Sequence, residues 1–345
     1  MQTYTENTLK LPDGVEIRYT DSGAPDTTDY TTLVGFHGTG FNSYQMVGLH
    51  EHAHKYNMRT VLCNRRDYHG STPYSDAELE ELYAGDQRFQ DRLALKVAWI
   101  LEHFVRHEHT PRVSADRAAG GLILMGWSSG NVTTLALFGC PEAIPRQLYE
   151  TLEPHLRSLV LYDPPVQALG YPHPGPVGAY DVFTDPECTT REQIFDRFVP
   201  WVSSYYKHPD IASGILSGLK CTEKQTVNKW TDEEKAKYCD KEAACRSFPP
   251  GDPTTRAAML RAQTHRALFD AALRASHFPN VSVLHICAEE SPDICISAYL
   301  ELSRLHSAAA IQRGSAGRRI KFTLVPHQNH FVRIALVVRA AVPHG

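Results

Sequence analysis

The stretch Leu122-Ile-Leu-Met-Gly-Trp-Ser-Ser-Gly-Asn-Val-Thr-Thr134 reads as three pieces. Leu122 to Met125 is a continuous apolar run, the pattern of a strand buried on both faces. From Asn131 the chain continues as "NVTTLALFG", which reads as a helix closed by a glycine. Between them stands Gly126-Trp127-Ser128-Ser129-Gly130, a G-x-S-x-G pentapeptide. A strand that bends sharply into a helix lifts the central side chain above the sheet edge, and flanking glycines keep bulk away from it. The pattern selects Ser128 as a nucleophile. The same bend aims the Ser129 backbone N–H at the place where an oxyanion would form, so Ser129 is expected to act through its amide.

Outward from this elbow, strands alternate with helices. "EIRYTDSG" from Glu16, "TTLVGFHG" from Thr31, "TVLCN" from Thr60, "SLVLYD", "VSVLHICA" and "IKFTLVP" read as strands. "SYQMVGLHEHAHKY" reads as a helix, and so does Asp86–His107, where Phe89, Leu93, Val97, Ile100, Leu101 and Phe104 recur at helical spacing. Apolar strands separated by helices predict an α/β fold with a mostly parallel sheet flanked by helices. The segment 164–280 breaks the rhythm. It opens with the Pro/Gly-rich "DPPVQALGYPHPGPVGAYD" and continues with helical patterns only. The expected organisation is therefore a core of residues 1–163 and 281–345 with an inserted helical cap, 164–280.

A serine nucleophile needs a base, an acid to orient it, and donors for the oxyanion. "TLVPHQNHFV" after the last strand supplies His330 as the base, with His327 as competitor. "LVLYDPP" ends a strand with Asp163, the preferred acid. "HICAEESPDI" offers Glu289, Glu290 and Asp293 as alternatives. "FHGTGF" follows an earlier strand with a glycine-rich turn, and the Thr39 amide is the expected second oxyanion donor, worth about 3–4 kcal/mol in the transition state. His37 is expected to brace loops. Gly38 and Trp127, beside these groups, and Phe198, Trp201 and Tyr205 from the aromatic-rich insertion are the expected substrate contacts.

Other chemistries find less in the chain. Net charge is −4 with no basic block, so neither nucleic acid nor an anionic membrane is an expected partner. No apolar run reaches the ~20 residues that span a bilayer. The amino-terminal stretch lacks the pattern of a signal peptide. The eight scattered cysteines contain no C-x-x-C pair, so reduced thiols and a cytoplasmic protein are expected. The histidines His50, His52 and His54, and the pair His103 and His107, read as solvated helix faces, and neither a metal nor another cofactor is expected.

"HGTGF", "GWSSG", "LYDPP" and "HQNHF" together resemble the α/β-hydrolase superfamily, with serine, acid and histidine in its chain order. The resemblance covers nearly the whole chain outside the insertion, which is similar to the family's cap domain. "NRRDYHGSTPY" resembles the loop after the fourth strand, with Arg66 and Ser71 matching and Asp67 and His69 replacing glycines. More narrowly, "LNRRDY"-like, "GSTPY", "GWS" and "LYDPP" phrases are similar to a fungal group that includes lactone-forming cyclases of secondary metabolism. Where the family often carries its acid in a G-E-x-D-P phrase, this chain has Ala288-Glu289-Glu290-Ser291-Pro292, with Ser291 at the aspartate's place. The resemblance implies a cofactor-free serine acyl enzyme on a small apolar ester or lactone. Alternatives are intramolecular acyl transfer that closes or isomerises a lactone, a lyase using the same groups as acid and base, and a non-catalytic binding protein. The apolar tail after His330 is expected to pack as a last helix or to form part of a partner surface.

Overall fold

The computed structural model describes residues 4–173, 180–217, 224–247, 253–313 and 317–331. One 8-stranded sheet runs in the order β1-β2-β4-β3-β5-β6-β7-β8. Its strands are β1 (Thr5–Lys10), β2 (Glu16–Asp21), β3 (Thr31–Phe36), β4 (Met58–Cys63), β5 (Leu122–Trp127), β6 (Leu156–Tyr162), β7 (Ser282–Ala288) and β8 (Ile320–Val325). β1 and β2 are antiparallel to their neighbours, and from β4 to β8 every pair is parallel. Every residue of β3, β4 and β5 is buried, which is why these strands show no polar/apolar alternation; Arg59 in β4 is buried in an ion pair with Asp21. β1, "TENTLK", is an edge strand with mostly exposed residues; it carries no apolar signal and was not expected from the sequence.

The chain winds one way from β3 to β4, then crosses back to β5. Ligands of open α/β sheets collect at such a reversal, beyond the carboxyl ends of the strands. All the parallel strands end on that edge, so the loops after β3, β5, β6, β7 and β8 share one neighbourhood.

The helix Gln87–Arg106 buries the stripe Phe89, Leu93, Val97, Ile100, Leu101 and Phe104, and Asp86 caps it by accepting from the Arg88 N–H. The helix expected over "SYQMVGLHEHAHKY" is broken into a 3-10 turn Ser43–Leu49, one α turn His50–Ala53 and a second 3-10 turn. It does not present His50 to solvent. His50 is buried between β2 and β4, with Nδ1 2.6 Å from Thr60 Oγ1 and Nε2 2.9 Å from Thr20 Oγ1. Burial pushes its pKa down to about 4, and the ring is a neutral core group.

Between β6 and β7 the described residues are helical or irregular. Thr190 forms a capping box with Gln193 at the head of the helix Arg191–Val202, and Thr231 forms one with Glu234 at Asp232–Tyr238. The last long helix of the insertion, Pro253–Leu268, lies along the helix Gly130–Gly139 that follows Ser128. Gln263 Nε2 donates to Val132 O at 3.0 Å and Arg266 Nε to Gly139 O at 2.8 Å. A Cβ on Gly139 would stand 2.7 Å from Gln263 O, so that glycine permits the contact. This helix packs on the helix Gly130–Gly139, one layer out from the sheet.

The roof is fastened to the sheet edge at several loops. The Asn42 N–H donates to Tyr238 O at 2.9 Å and the Asp240 N–H to Gly40 O at 3.0 Å. Asn329 Nδ2 donates to Ser203 O at 2.7 Å and to Thr226 Oγ1 at 2.8 Å. The Tyr206 N–H donates to Glu290 O at 2.9 Å. The apolar tail from residue 332 lies outside the described residues. Among the described residues no helix is long and apolar enough to cross a membrane.

Candidate active site

Ser128 sits at the end of β5 with φ 54°, in the left-handed region that a non-glycine residue adopts only under constraint. The constraint is visible: its N–H donates to Tyr162 O at 2.9 Å, and both flanking glycines are packed against backbone. A Cβ on Gly126 would stand 2.7 Å from Asn131 N, and one on Gly130 would stand 2.3 Å from Phe36 O. The pentapeptide is thus the close-packed strand-to-helix elbow that its glycines suggest.

The loop after β3 presses on this elbow. A Cβ on Gly38 would come 2.6 Å from Ser128 Cβ and 3.0 Å from its Oγ. Gly38, an expected substrate contact, lies against Ser128, where only a missing side chain leaves room. His37 holds the loop, with Nδ1 2.8 Å from Gly38 O and Nε2 accepting from the Arg65 N–H at 2.9 Å. Burial, with the Arg65 charge adding, pushes its pKa well down, so it braces as a neutral ring. Gly40 sits under the roof: a Cβ there would lie 3.2 Å from both Phe195 Cε2 and Phe198 Cε1. Arg66 and Ser71 brace their own loop, Arg66 by an ion pair with Glu78 and Ser71 by donating to Asn64 O at 2.9 Å.

Asp163 follows β6, fully buried, with φ 46°. His330 Nδ1 lies 2.5 Å from Asp163 Oδ2. Ser291 Oγ donates to the same oxygen at 2.6 Å, and the Ala288 N–H donates to Oδ1 at 3.2 Å. Burial alone would raise the Asp163 pKa; the hydrogen bond and charge of His330, followed by the hydroxyl of Ser291, outweigh it and hold the carboxyl below its ordinary range. Asp163 is therefore a carboxylate, His330 donates from Nδ1, and Nε2 is left as the basic nitrogen. The other acids stand apart from His330. Glu289 accepts from the His327 N–H at 3.1 Å, and Asp293 heads a helix with its Oδ2 3.2 Å from His173 Nε2. His327 itself lies in an exposed turn.

Ser128, Ser129, Thr39 and His330 all line one cavity of about 550 Å³, closed over by Phe183, Ile194, Phe198 and Val202. No hydrogen bond joins Ser128 Oγ to His330 in this structure; bonds of this kind often tighten only when substrate binds. Phe198 lines the cavity as expected of a substrate contact, whereas Trp127, Trp201 and Tyr205 do not. Trp127 lies beneath His330, with its Nε1 donating to His330 O at 3.1 Å and ring centroids 5.3 Å apart. Trp201 packs inside the roof against Phe183, Phe198 and Tyr206. Tyr205 stacks under Lys224, 4.0 Å from ring centroid to Nζ. Aromatic spacing revealed the roof's packing core without distinguishing its inner wall.

Two contributors carried weaker signals. Ser291 was visible as a substitution at the family's acid position, but its bond to Asp163 was not. Cys295 gave none; its Sγ lies 3.6 Å from His330 Nδ1. Among the described residues, Asp163, Cys295 and His330 also form a group whose possible metal-ligand atoms lie within 4.8 Å of one another. His330 Nδ1 and Asp163 Oδ2 are in direct hydrogen-bond contact, closer together than two ligands each about 2 Å from a tetrahedral ion would lie. Burial, then the Asp163 charge, keeps the Cys295 thiol protonated.

No protein-family model and no curated protein matches the chain. Solved structures do. A protein from Burkholderia cenocepacia assigned as an aryl esterase is 14% identical, with a TM-score of 0.51 over 97% of this chain and 94% of that one. An epoxide hydrolase from Vigna radiata is 12% identical, with a TM-score of 0.52 over 98% and 95%. Epoxide hydrolase A from Mycobacterium thermoresistibile is 12% identical, with a TM-score of 0.50 over 98% of both. With its mostly parallel sheet, its flanking helices and these neighbours along nearly its full length, the chain has the α/β-hydrolase fold.

Proposed function

We propose that this chain is a serine-dependent acyl enzyme acting on an ester or lactone of a small, largely apolar substrate. The observation that carries the reading is the 2.5 Å contact between Asp163 and His330 at the wall of the cavity that Ser128 borders. His330 Nε2 removes the Ser128 proton as Oγ attacks the carbonyl carbon. The backbone N–H groups of Thr39 and Ser129 hold the oxyanion, and Asp163 stabilises the imidazolium. His330 returns the proton to the leaving alkoxide. Water then attacks the acyl-serine, with the same histidine as base. A serine at the elbow speaks for acyl transfer; an aspartate there would suit epoxide opening. The apolar roof of Phe183, Ile194, Phe198 and Val202 supports a second acceptor, a hydroxyl of the substrate itself, which would close or isomerise a lactone.

Incubation with a fluorophosphonate should add one phosphonyl group, and peptide mapping should find it on Ser128. Protein that stays unlabelled, or is labelled elsewhere, would favour a binding protein on this fold. A mass-spectrometric screen of esters and lactones would separate hydrolysis from isomerisation in one experiment.

Gly38→Ala tests the loop that carries Thr39. The added methyl meets Ser128 at 2.6 Å, so either the loop or the serine must move by several tenths of an ångström. Misplacement near 1 Å costs on the order of a hundredfold in rate. We expect kcat for p-nitrophenyl butyrate to fall by about that factor, with the far-ultraviolet spectrum unchanged. A loss within threefold would show that the loop does not position the reacting groups.

A further inference from the structure

Most of the cavity wall is apolar, yet two guanidinium groups border it, Arg191 and Arg256. Arg191 heads the roof helix; its Nη1 donates to Cys245 O at 2.6 Å, and its guanidinium lies 5.5 Å from the Tyr83 ring centroid. Arg256, on the helix Pro253–Leu268, has no hydrogen bond and no ion pair among the described residues. Its backbone is fixed, since Gly85 approaches so closely that a Cβ there would lie 2.9 Å from Arg256 Cα. Burial, with the neighbouring Arg65 cation adding, pulls its pKa down to about 10, which still leaves it charged at neutral pH.

Arg256 is half-buried at the cavity wall, whereas guanidinium groups buried more deeply in this chain have partners. Arg59 pairs with Asp21, Arg66 with Glu78, and Arg318 donates to the carbonyls of Ala267, Phe278 and His277. A cation withdrawn from water without a partner is unfavourable, and an anion that enters recovers the loss. Asp181, the carboxylate on the described cavity wall, accepts from the Phe183 N–H at 2.9 Å and lies within ion-pair distance of neither arginine. Arg256 also borders an adjoining recess that holds Arg65 and Arg66, and the two spaces share Thr39, Ser129 and Val132 as wall. Arg256 thus borders the part of the wall shared with Thr39 and Ser129, and Arg191 faces the cavity from the roof helix.

We propose that this end is a subsite for a carboxylate carried by the substrate a few bonds from the ester or lactone carbonyl. The inference rests on the acyl-enzyme reading for the position of that carbonyl. Arg256 is the principal partner, because its fork is free for a two-point contact with a carboxylate. Arg191 adds charge from the roof. A singly charged carboxylate suits a mainly apolar cavity better than a doubly charged phosphate does.

The test compares two acyl esters of equal length, p-nitrophenyl valerate and mono-p-nitrophenyl glutarate, after subtraction of their spontaneous rates. The wild-type enzyme should favour the glutarate ester at least tenfold in kcat/KM. Arg256→Gln should reduce that ratio by tenfold or more, and Arg256→Lys should retain part of it. A ratio cancels any general damage to the fold. A wild-type preference for valerate, or a ratio unchanged in Arg256→Gln, would overturn the proposal. A parallel arm does not need turnover: calorimetric binding of monomethyl glutarate to Ser128→Ala protein, weakened tenfold or more by adding Arg256→Gln. Binding in that arm without hydrolysis of any ester would sink the acyl-enzyme reading and keep the anion subsite. Absence of binding would sink the subsite and leave the acyl-enzyme reading standing.

Discussion

Ser128→Ala should lower kcat for p-nitrophenyl esters by at least about ten-thousandfold, whereas Ser129→Ala should stay within about tenfold of wild type. The two residues are adjacent and chemically identical, so the contrast isolates backbone geometry. Ser128 occupies φ 54° at the tip of the elbow, and its side chain is the one that Gly38 must make room for. Ser129 has φ −63° and opens the following helix. Its proposed contribution is a backbone N–H, which alanine keeps. Residual activity in Ser128→Ala should come from the oxyanion donors and binding alone. Alanine tolerates the left-handed conformation no better than serine, so both variants should melt within a few degrees of wild type. Equal losses in the two variants would refute the assignment of the nucleophile. A loss confined to Ser129→Ala would move it by one residue.

Much of this arrangement is legible in the sequence because it is local. An apolar strand, a tight turn with obligatory glycines and a helix are adjacent in the chain, and each is dictated by sterics that act over a few residues. The order of Ser128, Asp163 and His330 is legible for the same reason: each follows a recognisable strand. Contacts between distant segments are not legible. Nothing near Phe41 announces that residues 40–42 pair with residues 238–240 of the roof, nor that Asn329 reaches Ser203. These bonds join segments more than a hundred residues apart and depend on how the insertion settles. Arg256 illustrates the limit most clearly. On an amphipathic helix an arginine reads as a solvated face, and only the packing against Gly85 and the Gly130–Gly139 helix turns it inward. The polar edge strand β1 escapes for the opposite reason, because it has solvent on its exposed residues and needs no apolar pattern.

Asp163→Asn should cost about ten-thousandfold in kcat, close to 5 kcal/mol of transition-state stabilisation. Ser291→Ala should cost about tenfold, and Glu289→Gln or Asp293→Asn less than threefold. The argument turns on which proton faces His330 Nδ1. A carboxylate 2.5 Å away accepts a hydrogen bond, which keeps the Nδ1 proton in place and leaves Nε2 free to take one from Ser128. An asparagine that turns its amide toward the ring donates instead. The ring proton then moves to Nε2, and the base is lost although shape and volume are nearly unchanged. Ser291 acts on the same oxygen, at 2.6 Å, but only by holding it. Without that hydroxyl, Asp163 still accepts from His330 and from the Ala288 N–H, so the tautomer persists and the loss is one of alignment. Severe inactivation by Glu289→Gln or Asp293→Asn, with Asp163→Asn active, would transfer the acid to the loop after β7. It would also leave unexplained why the carboxylate at the end of β6 is the one buried against the imidazole.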